Sequence, residues 1–234
     1  MTPPIDDPEA VRRILASTEA LLLDFDGPVC SVFAGFPAPV VADQLRDILT
    51  EGNNRSLPEE VRNSADPFDV LFYAAKLGPD EARFLEAAFR AHEVEAVQSA
   101  ESTPGAHDLI AAWKATSKPL AIVSNNSIAA VETYLDVHHM RGAIDLISAR
   151  PNADISLLKP NPYLVAHAAL SLGIVPAACT FVGDSLTDVE AAKIAGVRSI
   201  AYANKPGKIE RFIPTAPDTI VTVLASLVSF AASA

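Results

Sequence analysis

Two carboxylates two residues apart, Asp24 and Asp26, stand in Leu21-Leu22-Leu23-Asp24-Phe25-Asp26-Gly27-Pro28, where an apolar run meets a Gly-Pro break. Consecutive leucines fit the end of a strand buried on both faces, as in the middle of a parallel sheet. If strand alternation persists, both carboxylates point to one side and Phe25 to the other. Like charges that close raise each other's pKa unless a cation lies between them, so the pair suggests a bound metal. The plain alternative is a solvated Asx turn at a strand end.

Polar groups recur wherever a later apolar run gives way to a helix. Ser124-Asn125-Asn126 follows Ile122-Val123, Lys159-Pro160 precedes a helix, and Gly183-Asp184-Ser185 with Asp188 follows Phe181-Val182. Singly, each has a structural reading: Ser127 as a helix cap, Lys159 as a solvated lysine, Asp188 as an acid at the positive end of a helix. Together, at successive strand–helix junctions, they point to one site.

The elements that must position these groups can be read from periodicity. Asp7-Pro8 caps and opens a helix over Glu9–Ala16, which leads into the strand at Leu21. After Gly27-Pro28 comes a turn-rich apolar stretch, then a long block with helical faces in Val41-Leu45-Ile48-Leu49, Val70-Leu71-Ala74-Leu77 and Ala82-Leu85-Phe89. A helix is expected to begin around Ser102-Thr103-Pro104-Gly105, with Trp113 on its apolar face. Strands are then expected at Leu120–Ser124, Ile144–Ser148, Thr180–Gly183 and Ser199–Tyr202. They alternate with helices at Ser127–Leu135, Pro162–Leu172 and Leu186–Ala195, and a last helix is expected near Val223–Phe230. The pattern is α/β: an open, doubly wound, mostly parallel Rossmann-like sheet, interrupted after its first strand by a helical insert. Residues 1–30 and 104–234 would form the core and 31–103 the insert. In such sheets ligands bind outside the carboxyl ends of the strands, where strand order reverses.

Composition narrows the class. Half of the 234 residues are hydrophobic and 20% are charged, an ordinary globular balance. A net charge of −11 disfavours a polyanion, so nucleic acid is not an expected partner. Cys30 and Cys179 are far apart and lack metal-ligand spacing, which suits small core residues in a reducing compartment. The acidic, proline-bearing start does not resemble a signal peptide, and no apolar run approaches the ~20 residues of a membrane span. A cytoplasmic enzyme, monomeric or homodimeric, is expected.

The order Asp-Phe-Asp-Gly, Ser-Asn-Asn, Lys-Pro, Gly-Asp-Ser-x-x-Asp resembles the haloacid dehalogenase-like hydrolase superfamily. The resemblance is to its capped phosphatase branch, which includes phosphoglycolate phosphatases and β-phosphoglucomutases. It covers nearly the whole chain, and the insert lies where that branch carries its cap. Pro28 departs from the threonine or valine common in the first motif. The resemblance implies hydrolysis of a small phosphate monoester, such as a sugar phosphate, a phosphoglycolate-like acid or a nucleotide. It makes Asp24 the nucleophile that forms an aspartyl-phosphate and Asp26 the general acid and base. Ser124 and the amide of Asn125 would hold phosphoryl oxygens, and Lys159 would neutralise the nucleophile. Mg²⁺ would be held by Asp24, Asp184 and the backbone carbonyl of Asp26, with Asp188 steadying Lys159 or a metal-bound water. The chemistry demands such a set, because phosphate monoester hydrolysis is accelerated by enzymes up to about 10²¹-fold.

Other readings are weaker. An acid at position 26 suits protonation of an alkoxide and not carbon–halogen cleavage. A Schiff-base lysine in the insert would have to be Lys76. A sugar phosphomutase would keep the same motifs. A phospho-acceptor signalling domain would need an aspartate after the third strand, where this chain has Asp145-Leu146-Ile147-Ser148-Ala149-Arg150. A silent binding scaffold would not need every functional group. In the insert, Glu51-Gly52-Asn53-Asn54-Arg55-Ser56-Leu57-Pro58 is the expected substrate loop, with Arg55 reaching the distal part of the substrate and Arg62 behind it. His92 and His107 read as packing residues.

Overall fold

The computed structural model describes residues 2–51 and 56–232. In chain order the strands are β1 (Ala20–Leu23), β2 (Cys30–Ser31), β3 (Glu101–Ser102), β4 (Leu120–Ser127), β5 (Leu146–Arg150), β6 (Cys179–Gly183), β7 (Arg198–Tyr202) and β8 (Thr219–Val221). The helices are α1 (Pro8–Ala16), α2 (Ala38–Thr50), α3 (Glu59–Arg62), α4 (Pro67–Leu77), α5 (Pro79–Ala96), α6 (Ala106–Ala115), α7 (Ile128–Val137), α8 (Tyr163–Ser171), α9 (Leu186–Ala195), α10 (Lys208–Phe212) and α11 (Val228–Ala231).

β1 is buried along its whole length because it lies inside a six-stranded sheet of order β5-β4-β1-β6-β7-β8. It pairs in parallel with β4, Leu22 opposite Ala121, and with β6, Leu22 opposite Phe181. The pleat divides its side chains between two cores. Leu21 and Leu23 join Ile122, Val182 and Trp113 on one face, while Ala20 and Leu22 join Val123, Phe181 and Val165 on the other. Truncating any one of these leucines to alanine costs about 2–5 kcal/mol. From β1 the chain runs outward to β4 and β5, then returns to β6, β7 and β8 on the opposite side, so strand order reverses at β1.

Between β1 and β4, the short antiparallel ribbon of β2 and β3 pairs Cys30 with Ser102 and leads into and out of helices α2 to α5. Those helices close on their own apolar cluster, which includes Val41, Leu45, Leu71, Leu85 and Phe89.

Several boundaries differ from the periodic reading. Ser102 is in strand, and α6 starts only at Ala106, because Thr103 precedes a proline and Gly105 takes φ 85. β5 starts at Leu146, two residues later than expected, since the Asp145 carboxylate accepts from the Leu120 amide at 2.9 Å and ends the preceding loop. The expected C-terminal helix is a 3₁₀ turn, Leu224–Leu227, followed by α11. The edge strand β8 and the short α10 were not apparent in the periodicity. Among the described residues, no helix is long and apolar enough to cross a membrane.

Candidate active site

The carboxyl ends of β1, β4 and β6 meet above the strand-order reversal, and the motif residues gather there. Asp24 immediately follows β1. Its Oδ1 accepts from the Phe25 amide at 2.8 Å and from Lys159 Nζ at 2.8 Å. Lys159 also donates to the Val123 carbonyl and pairs with Asp188 Oδ1 at 2.6 Å. Asp188 is in turn fixed by a capping box: its Oδ2 accepts from the Ser185 amide at 2.9 Å while its own amide donates to Ser185 Oγ at 3.2 Å. The acid in the first turn of α9 is therefore both cap and partner of Lys159.

The carboxylates that converge are Asp24, Asp184 and Asp188, each offering an oxygen within 4.8 Å of the others. Burial pushes the Asp24 carboxyl well above the usual carboxylate range, and the charges of Asp188 and Asp184 add to this against the pull of Lys159. Burial also opposes a charged Lys159, yet Asp188 and Asp24 outweigh it and hold the ammonium above its ordinary value. Three acids meet two ammoniums, Lys159 between Asp24 and Asp188 and Lys208 on Asp184, so one negative charge is left uncompensated, and an all-oxygen ligand set of this kind fits a hard divalent cation. Room for it is preserved by Gly27, at φ 112, where a Cβ would stand 2.3 Å from Asp184 Cγ. Asn204 Oδ1, beside Asp184, is buried without a hydrogen-bond partner and is an acceptor that the water shell of an ion could use.

Asp26 lines the same cavity as Asp24. The strand ends at Leu23, and Asp26 turns so that Oδ1 accepts from the Val32 amide at 2.9 Å. Burial raises its carboxyl to about 6 against the pull of the Val32 hydrogen bond, with Asp184 adding to the rise. The carboxylates that raise Asp24 most are the two that follow β6, Asp188 and Asp184. Pro28 is accommodated because the turn bonds come from the amides of Gly27, to the Cys30 carbonyl, and of Val29 and Cys30, to the Phe25 carbonyl. Those bonds do not use the carbonyl of Asp26.

Ser124, Asn125 and Asn126 form the next wall. Ser124 Oγ accepts from the Asn126 amide at 3.1 Å, and the Asn125 side chain clamps the Lys159 backbone, accepting from its N–H at 2.8 Å and donating to its carbonyl at 3.1 Å. Ser127 caps α7, as its position suggests.

A cavity of about 320 Å³ covers these groups and is lined on the insert side by Asp66, Phe68 and Phe72, from the cap and first half of α4. The expected distal contact Arg55, with residues 52–54 of its loop, lies outside the described residues. Arg62 is exposed on α3, and Lys76 is exposed in the last turn of α4. His107 packs against Tyr134, its Nε2 3.0 Å from the hydroxyl, and His92 packs beside Phe36.

The haloacid dehalogenase-like hydrolase family matches residues 46–202, more than half of the chain. The chain belongs to this family. A phosphoglycolate phosphatase of Synechococcus elongatus is 26% identical over 222 residues, covering 87% of this chain and 92% of that protein. A bifunctional riboflavin kinase/FMN phosphatase of Arabidopsis thaliana is 33% identical over 125 residues, which span 53% of this chain and only 32% of that protein. Among solved structures, CbbY from Rhodobacter sphaeroides in complex with phosphate superposes with a TM-score of 0.65 at 22% identity, covering 90% of this chain and 96% of that one. A haloacid dehalogenase-like family protein from Streptococcus pneumoniae gives a TM-score of 0.65 at 16% identity over 92% of this chain and 99% of that one. Both curated relatives carry a phosphatase name.

Two parts of this hydrolase's site escaped the sequence reading. Lys208 Nζ donates to the Asp184 carbonyl and to its Oδ2, both at 2.6 Å, and Asn204 Nδ2 donates to the same Oδ2 at 2.9 Å. Both lie just beyond β7, so this strand end also supplies polar groups to the site. The second is a buried ionic cluster at the junction of insert and core. Arg150, fully buried at the end of β5, pairs with Glu86 at 2.6 Å and Glu93 at 2.5 Å on α5 and donates to the Asn125 carbonyl at 3.0 Å. Glu93 also accepts from Asn126 Nδ2 and the Ser127 amide. The insert thereby holds the carboxyl end of β4 directly.

Proposed function

We propose that the chain is a Mg²⁺-dependent phosphatase that hydrolyses a small phosphorylated metabolite through a phosphoryl ester of Asp24. The observation that carries this reading is the convergence of Asp24, Asp184 and Asp188 on one point beside the ammonium of Lys159. The residues to hold the ion are Asp24, Asp184 and the carbonyl of Asp26, with Asp188 anchoring Lys159. When bound, Mg²⁺ would supply the positive charge that lets a carboxylate approach a phosphate dianion.

Lys159 and the Phe25 amide both engage Oδ1 of Asp24, which orients the other oxygen toward the cavity for attack on phosphorus. As the Asp24 oxygen–phosphorus bond forms and the ester bond breaks, Asp26 gives its proton to the departing alcohol. In the second step Asp26, now a carboxylate, takes a proton from the water whose oxygen attacks phosphorus, and Asp24 departs as a carboxylate. Ser124 Oγ and the Asn125 amide hold phosphoryl oxygens at the mouth of α7. The insert wall limits access of water during the first step. The test is phosphate release from p-nitrophenyl phosphate. Turnover should stop with a chelator and return with Mg²⁺; undiminished turnover in chelator would overturn the role given to Asp184.

A further inference from the structure

The cavity has two unlike halves. Its floor holds the charged groups already described. Its insert side is Asp66, Phe68 and Phe72. The two phenylalanines are four residues apart on α4 and share a helix face, their ring centroids 6.3 Å apart. Phe68 is held in place, edge-on against Phe89 at 5.0 Å and 82°, with the Arg150 guanidinium 6.0 Å from its ring. Both rings are half-buried, leaving faces toward the cavity. Asp66 caps α4, its Oδ1 accepting from the Phe68 amide at 2.9 Å, so a carboxylate is fixed at the rim.

The phosphoryl group occupies the floor, so this wall faces the alcohol that departs. Among the described residues lining the cavity, Lys159 is the single cation, and it is already engaged by Asp24 and Asp188. Of the described residues on that wall, Asp66 would repel an alcohol bearing its own carboxylate and none is positive to offset it. A ring or other apolar body would instead lie on Phe68 and Phe72, where offset or edge contacts between aromatic groups are favourable. We infer that the substrate is a phosphate monoester of an aromatic or apolar alcohol with no acid group near the ester. This rests on the phosphatase reading and narrows it.

Benzyl phosphate and phosphoglycolate make the decisive pair, since both release a primary alcohol and differ in carrying a ring or a carboxylate. The parent enzyme should show the higher kcat/KM for benzyl phosphate. In Phe72→Ala the ratio of the two kcat/KM values should fall about two- to tenfold, the range that loss of one aromatic contact gives. Phe72→Leu keeps apolar volume against the core and should lower the ratio without loss of folding, as checked by its circular dichroism. A preference for phosphoglycolate, or equal loss on both substrates in Phe72→Leu, would overturn the inference. Failure of the phosphatase reading would look different: no phosphate released from p-nitrophenyl phosphate either, and both ideas would fall together.

Discussion

Replacing Arg150 by methionine should be among the most damaging single changes in this protein. The side chain is fully buried, bridges Glu86 and Glu93, and donates to the carbonyl of Asn125. Methionine fills similar volume but leaves two carboxylates in the interior with no counter-charge, and breaking a buried pair in this way costs about 3–5 kcal/mol. For a chain of this length each kcal/mol shifts the midpoint by about 2–4 °C, so thermal unfolding followed by circular dichroism should begin roughly 6–20 °C lower. The loss belongs to the stranded charges and not to the missing arginine, so adding Glu86→Gln and Glu93→Gln should restore at least half of it. Because Glu93 also holds Asn126 and the Ser127 amide, Arg150→Met should raise KM for phosphate esters more than it lowers kcat. A single variant within about 1 kcal/mol of the parent in urea unfolding would refute the reasoning, as would a triple variant no better than the single one.

Asp24→Asn should reduce turnover of p-nitrophenyl phosphate by at least about 10³-fold while leaving the circular dichroism spectrum intact; retained activity would remove it as nucleophile. Gly27→Ala would force a Cβ to within 2.3 Å of Asp184 Cγ at a backbone φ of 112, so Mg²⁺ affinity measured by calorimetry should drop, and unchanged affinity would count against the ion's placement. Burial raises the Cys179 thiol to about 11 and carries Cys30 well above its ordinary value, so neither should react with Ellman's reagent at pH 8 until the chain is unfolded. The sign for stability follows: the folded thiol keeps its proton while the unfolded one loses it near about 8.5, so this contribution is present below that pH and is lost as pH rises toward 11. Stability that rises over that interval would contradict it.

The parts of this account that were legible in the sequence are those governed by local rules. A strand of leucines buried on both faces, a proline-led helix capped by Asp7 and the polar residues following strand ends all depend on neighbours in the chain, and each is found where periodicity placed it. The hydrogen bond that steadies Asp26 was not legible, because its donor is the Val32 amide beyond the turn that follows β1. Arg150 carried no signal in its own strand; its partners lie on α5, some sixty residues earlier, and only packing brings them together. Phe68 and Phe72 read equally well as core, and in part they are. Lys208 has a signal in the chain, because the rule that strand ends supply the site applies to β7 as it does to β6.

The central claim is that phosphorus becomes covalently attached to Asp24. Mixing enzyme, Mg²⁺ and a ³²P-labelled ester for a fraction of a turnover, quenching in acid and mapping the labelled peptide tests it most directly. The account predicts an acid-stable, alkali-labile label on the peptide containing Asp24, absent in Asp24→Asn and in chelator. Rapid phosphate release with no label on protein, or a label on another residue, would contradict it.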